Sequence, residues 1–253
     1  MKYRCLITML IILVTFSGCG SVNKKVVMNQ NEQGVDKIES QHYSKNGVEG
    51  EFPVVTTGED TKNIQIWNKL IQNDFKKVLG IYSFMPIPAP APSPTTATPI
   101  LLTIRYETKQ NNKDRLSILY LADFNATFTA HPTELTYTTN IDKKNNNRLK
   151  LSDIVKLNED FVKEFRGWNF ISAEPGNAEL NLAIKDYFIN MSDEDILLGF
   201  KNADIIGSGN LMDVYSYTTP TRLGISFGVP HYIGDHIEFE QDFDKLQNYL
   251  IKK

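Results

Sequence analysis

The chain has 253 residues, 27 Lys plus Arg against 30 Asp plus Glu, a net charge of −3 and a mean hydropathy of −0.30. That length supports a sizeable buried core, and the balance excludes a globally basic nucleic-acid-binding surface. Two cysteines exclude a disulfide-rich scaffold and a four-cysteine zinc module.

The N-terminus carries Lys2 and Arg4, then an apolar run from Leu6 to Phe16, then Ser17, Gly18 and Cys19. The run is shorter than the roughly 20 residues a membrane-spanning helix needs. A positive segment, an apolar segment and small residues form the layout of a secretory signal, expected over residues 1–18. Ser17-Gly18-Cys19 resembles the bacterial lipobox, although Phe16 stands where Leu is usual. The resemblance implies lipidation of Cys19 by acyl chains such as palmitate, and a membrane-anchored location facing outside the cytoplasm. Loss of residues 1–18 removes Lys2, Arg4 and Cys5, leaving 25 basic and 30 acidic side chains, a net charge of −5. Cys19 would then be the only cysteine, so no internal disulfide is expected.

Residues 19–47 are polar and aperiodic, apart from Tyr43, and are expected to form a flexible tether. Phe52, Val54 and Val55 read as a short strand, with Pro53 marking an edge. Ile64, Trp67, Leu70, Ile71, Phe75 and Val78 recur at spacings of three and four, which predicts an amphipathic helix capped by Asp60 or Thr61. Residues 86–99 hold six prolines and read as an extended surface excursion or a docking ligand for a proline-binding groove. Alternation over 101–107, 116–124 and 134–142, with turns at 110–114 and 143–147, predicts an antiparallel meander. Helices follow over 158–170, at Leu180–Phe188 and after Ser192, whose acids at 193–195 favour a helix start. Strands near 211–217, 223–229 and 236–240 precede a helix ending at 250–253. Strands, then helices, then strands predict an α+β fold with antiparallel sheets packed against helices.

Three stretches carry a family resemblance: EFPVVTTGEDTKNIQIWNKLI, DRLSILYLADFNATFTAHPTELTYTTNIDKKNNNRLKLSDIV and LGISFGVPHYIGDHIEFEQDFDKL. The first two resemble the N-terminal, DUF4163-like domain of PdaC-type peptidoglycan deacetylases. The third resembles the DUF3298-like extracellular domain of RsiV-type anti-sigma factors. The resemblance implies a PdaC-like domain over 48–155, interrupted by the Pro-rich insert 86–99, and an RsiV-like domain over 156–253. It also implies a binding role near peptidoglycan, or lysozyme recognition. The deacetylase metal motifs and a sigma-binding segment are not found in this sequence, so neither activity is carried over.

Candidate chemistry is sparse. His42 falls in the tether. His131 precedes Pro132 at a bend and pairs in principle with Glu134 as a base, or is a turn residue. The densest polar cluster is His231, Asp235, His236, Glu238 and Glu240. His236, Glu238 and Glu240 share a strand face, so His231, His236 and Glu238 are the candidates for a metal, against the plainer reading of a solvent-facing polar edge. No Gly-x-Ser-x-Gly elbow or phosphate loop occurs, and IIGSGN at 205–210 has the wrong order for a dinucleotide fold. Fourteen Phe, eleven Tyr and two Trp suit a core or a sugar-binding face, with Tyr215, Tyr217 and Tyr232 as candidate stacking residues. The expectation is a non-catalytic envelope protein binding peptidoglycan or a wall-associated protein, with no cofactor. A peptidoglycan hydrolase and a lysozyme-binding protein are the alternatives.

Overall fold

The computed structural model describes residues 36–58, 60–82, 101–126, 131–171, 176–207 and 213–251. The expected signal 1–18, Cys19, the Pro-rich segment 86–99 and most of the glycine-containing stretch after Ile206 lie outside the described residues. No helix among the described residues is long and apolar enough to cross a membrane.

Chain order begins earlier than the composition suggests. Lys37–Lys45 (β1) pairs antiparallel with Val48–Thr57 (β2), within the stretch expected to be tether. The cause is Asn46-Gly47, both at positive φ (54° and 76°), the residue pair that favours a tight two-residue hairpin turn. Ile38 and Tyr43 then pack against the core from an otherwise polar strand. Pro53 lies beyond the last β2–β3 pair, Gly50↔Ile104, where β2 has lost that neighbour and a missing N–H costs least.

Asp60 caps helix Thr61–Tyr82 (α1), its Oδ1 accepting from Lys62 N at 2.8 Å. The helix buries Trp67, Ile71, Phe75 and Val78. Leu102–Asn111 (β3) runs parallel to β2, and Arg115–Phe124 (β4), Thr133–Asp142 (β5) and Asn147–Arg148 (β6) continue the sheet as an antiparallel meander. The order is β1-β2-β3-β4-β5-β6, with α1 on one face.

Leu151–Ile154 (α2), Glu159–Phe165 (α3) and the short strand Asn169–Ile171 (β7) follow. The helix predicted over 158–170 therefore ends at Phe165, and its last residues become a sheet edge. Ala178–Asn190 (α4) and Asp193–Lys201 (α5) are capped by Asn177 and Ser192. Val214–Thr218 (β8), Arg222–Gly228 (β9) and His236–Asp242 (β10) build a second antiparallel sheet, ordered β7-β10-β9-β8. The C-terminal helix expected near 250–253 is replaced, up to Leu250, by turns and a bridge between Leu250 and Val155.

The architecture is α+β, as the element order predicts. One core joins α1 to the first sheet, and a second joins the helices α2, α3, α4 and α5 to the second sheet. The two sheets meet through a polar joint. Thr136 Oγ1 bonds Ser226 Oγ at 2.6 Å, and Asn140 Nδ2 donates to Ser216 O at 2.7 Å. Asp204 collects four donors across it: Leu151 N, Ser216 N and Ser216 Oγ at 2.7 Å each, and Thr138 Oγ1 at 3.2 Å. Polar residues are tolerated inside because most groups there find a partner, with Tyr215 Oη and Thr218 Oγ1 as exceptions. β5 is thus buried on both faces, which its polar–apolar alternation alone does not reveal.

Candidate functional site

The polar joint opens to solvent where the start of β5 meets the β9–β10 connection. That connection is a 3-10 turn, His231–Ile233, followed by Gly234 (φ 112°) and Asp235 (φ 64°). The two left-handed residues reverse the chain sharply, and an aspartate tolerates the conformation better than most residues. The reversal turns the Asp235 carboxylate inward, where it is buried. Its Oδ1 accepts from His231 Nδ1 at 3.0 Å, and its Oδ2 accepts from Glu134 N at 3.0 Å. The opposite group, His131, stacks on His231 with ring centroids 3.5 Å apart and planes 9° from parallel. His236 Nδ1 lies 3.3 Å from Glu134 O. Glu134 and Asp123 share Arg105 Nη2, each at 2.9 Å.

Two candidates separated by about a hundred residues in the sequence therefore meet: His131 with Glu134, and His231 with Asp235 and His236. Burial and the neighbouring Asp123 carboxyl push Glu134 up to about 7, against the pull of Arg105. The groups bond mainly to each other and to backbone. Their shared effect is to fix the 3-10 turn against β5.

The metal candidates do not assemble. His231 is committed to Asp235 and His131, while His236 Nε2 stands 4.0 Å from Glu238 Oε1. Parallel stacked imidazoles direct their in-plane lone pairs along separate planes, so His131 and His231 cannot share an ion in this arrangement. Among the described residues no group of three His, Cys, Asp or Glu side chains is placed to hold one.

The tyrosine triplet is also corrected. Strand alternation puts Tyr215 and Tyr217 on one face of β8, but that face meets the first sheet rather than solvent, and both are buried. Tyr215 packs edge-on to Tyr137 at 5.3 Å. The Tyr217 hydroxyl is 2.7 Å from Glu238 and 2.9 Å from Glu240, and its ring lies where a Cβ on Gly224 would stand, 2.2 Å away. Burial and those two carboxylates raise the Tyr217 phenol far above its ordinary range. Lys109 completes the group, 4.9 Å above the Tyr217 ring and 3.9 Å from Glu238. Residues 215, 217 and 238 are thus part of the joint.

Tyr232 alone of the three is presented to solvent, at 71% exposure. Its companion is Tyr187 on α4. The two line a groove of about 610 Å³ with Asp186, Asn190, Met191 and Asp195. Asn190 lies four residues after Asp186 and three after Tyr187, so it neighbours both on the helix surface. Burial, then the nearby Tyr232, push the Tyr187 phenol above its ordinary range. The groove offers two aromatic faces with acceptors and an amide beside them, which fits a ring that is apolar on its faces and polar at its rim.

No family model matches the sequence, and no curated protein matches it. Among solved structures, the chain is similar to a member of the DUF3298 family from Bacteroides fragilis, with 13% identity, a TM-score of 0.50, and 87% of this chain covering 95% of that one. It is also similar to a DUF3298 family protein from Pseudomonas aeruginosa, with 12% identity, a TM-score of 0.47, and coverage of 87% and 95%. At this identity the first likeness is one of fold.

Proposed function

We propose that this chain is a membrane-anchored, non-catalytic envelope lipoprotein, held by acyl chains on Cys19, that binds a peptidoglycan glycan through the Tyr187–Tyr232 groove. The observation that carries the reading is the exposure of Tyr232 opposite Tyr187, on a turn braced by a buried carboxylate and a histidine stack. An exposed aromatic held in a fixed place has a large contact area and little rotamer freedom to lose on binding. The reading takes residues 48–155 as the PdaC-like part and 156–253 as the RsiV-like part. The hydrophobic residues form two cores, but Leu149, Leu151, Ile154 and Val155 belong to the second and Ile206 and Tyr215 to the first.

The test is calorimetric titration of the purified full chain with chitotriose and with solubilised peptidoglycan fragments. Tyr232→Ala is expected to weaken binding by about tenfold or more, since aromatic anchors dominate such sites, while the thermal midpoint stays unchanged. Equal binding by the variant removes the groove from the proposal.

A hydrolase reading has one specific observation in its favour, the Glu134 carboxyl raised to about 7 beside Asp123. Release of soluble fragments from peptidoglycan by the wild-type chain, lost in Glu134→Gln, would favour it over binding alone.

A further inference from the structure

A second cleft, remote in sequence from the Tyr232 groove, lies where the β3–β4 hairpin, α2 and the C-terminal turns converge. It encloses about 350 Å³, within the range of sites for small ligands. One wall is apolar: Ile154, Phe243, Leu250 and Ile251. The backbone fixes this wall, because Val155 bridges Leu250 and Ile251 N donates to Ile154 O at 2.9 Å. Ile251 is nevertheless 37% exposed, an apolar side chain facing an opening.

The other wall is polar and incomplete. Gln110 is 93% buried by its 7% exposure, yet its Oε1 has no hydrogen-bond partner. That oxygen exposes less than 1 Å², so it packs behind the cleft wall and no ligand donor reaches it. Arg115 stands on the same wall, its guanidinium without a hydrogen-bond or ion-pair partner among the described residues. The neighbouring acids are already engaged. Asp114 pairs with Lys144 at 3.2 Å, and Asp153 accepts from Lys150 N at 2.9 Å. Asn112 Oδ1 accepts from Arg115 N at 2.8 Å and so holds the hairpin end in place.

A free guanidinium beside an apolar wall matches one ligand chemistry. We propose that the cleft binds the C-terminus of a short peptide. Arg115 takes the terminal carboxylate, and Ile154, Phe243, Leu250 and Ile251 receive small apolar side chains. Arg suits this role because its fork matches a carboxylate with two parallel bonds. The inference stands independently of the glycan groove.

The probes are acetyl-Ala-Ala in the all-L and all-D forms, each as the free acid and as the C-terminal amide, titrated into the full chain by calorimetry. The free acid is expected to bind, with the amide weaker by about tenfold or more, since hydrogen bonds to charged groups are the stronger kind. Preference for the D form identifies a wall peptide as the source, and preference for the L form identifies a protein C-terminus. Arg115→Met is expected to weaken the acid by about tenfold or more, since hydrogen bonds to charged groups are the stronger kind, while Tyr232→Ala leaves it unaffected. Equal binding of acid and amide, absence of binding by all four probes, or unchanged binding in a folded Arg115→Met chain with a wild-type thermal midpoint overturns the proposal.

Discussion

Asp204 is the point at which the polar joint is most exposed to perturbation. It is 5% accessible, has φ 65°, and accepts from Leu151 N and Ser216 Oγ on Oδ2, and from Ser216 N and Thr138 Oγ1 on Oδ1. Asp204→Asn keeps the shape and tolerates the left-handed backbone. However, its NH₂ must replace one oxygen. Hydroxyls can rotate to accept from it, but a backbone N–H cannot. Each carboxylate oxygen receives one backbone N–H, so either orientation leaves one buried donor facing another. One stranded donor costs about 1–3 kcal/mol. Asp204→Ala strands both backbone donors and places a Cβ residue with no local hydrogen bond at positive φ, adding about 1 kcal/mol or more. Together these give about 2 kcal/mol for Asn and about 4–5 kcal/mol for Ala. For a fold of this size each kcal/mol moves the midpoint by about 2–4 °C. Thermal unfolding followed by circular dichroism should therefore show losses of about 4–8 °C and about 8–20 °C respectively. An Asn variant within about 1 °C of wild type, or an Ala variant no worse than Asn, would refute the assignment of Asp204 as an obligate acceptor.

Two further predictions concern charge. Arg148 donates to both oxygens of Asp74, from Nη2 to Oδ1 at 2.6 Å and from Nη1 to Oδ2, beneath a second donor, Thr139 Oγ1, at 2.7 Å. Asp74 is fully buried and its other cation, the exposed Lys77, stands 3.8 Å off, so Arg148→Met removes its close partner and should cost about 3–5 kcal/mol in urea unfolding, while a loss under about 1 kcal/mol would show the pair to be expendable. Glu134 has its folded-state value raised from 4.5 to about 7. A carboxyl raised in this sense contributes stability that is present below the unfolded value and lost as pH rises through the folded one. Wild-type stability should thus fall relative to Glu134→Gln between about pH 5 and 8. The side chain is 38% exposed, so screening limits the difference to about 1 kcal/mol, and parallel pH profiles would remove the perturbation.

The sequence revealed the elements far better than the layers they form. Alternation in β4 and β5 marks strands because side chains alternate at period two, whichever face is buried. It does not say whether a polar face looks into water or into a second sheet. Tyr215, Tyr217, Glu238 and Glu240 were legible as strand faces, yet they point into the joint because β8 and β10 pack on β3, β4 and β5. The β1–β2 hairpin was readable from Asn46-Gly47, whose turn chemistry outweighs the polar composition of Lys37–Lys45. What periodicity cannot supply is proximity across about a hundred residues. His131 and His231 meet only because β5 and the β9–β10 turn end at the same corner.

That corner explains why its titratable groups need not be a reaction centre. A catalytic base has to reach a substrate proton, whereas Asp235 spends one oxygen on the Glu134 amide and the other on His231. Holding a non-glycine residue at φ 64° costs of order 1 kcal/mol, which those two bonds offset. The chain between them carries Tyr232, whose 71% exposure gives nothing to the core. Disruption of the brace should therefore act on affinity rather than on fold. His131→Ala removes a stacked ring from the surface and is expected to leave the midpoint within about 2 °C, since exposed substitutions are usually mild. It should still weaken glycan binding through Tyr232, by an amount that Tyr232→Ala does not add to, because both changes act on one turn. Fully additive effects of the two substitutions would separate the histidine stack from the groove.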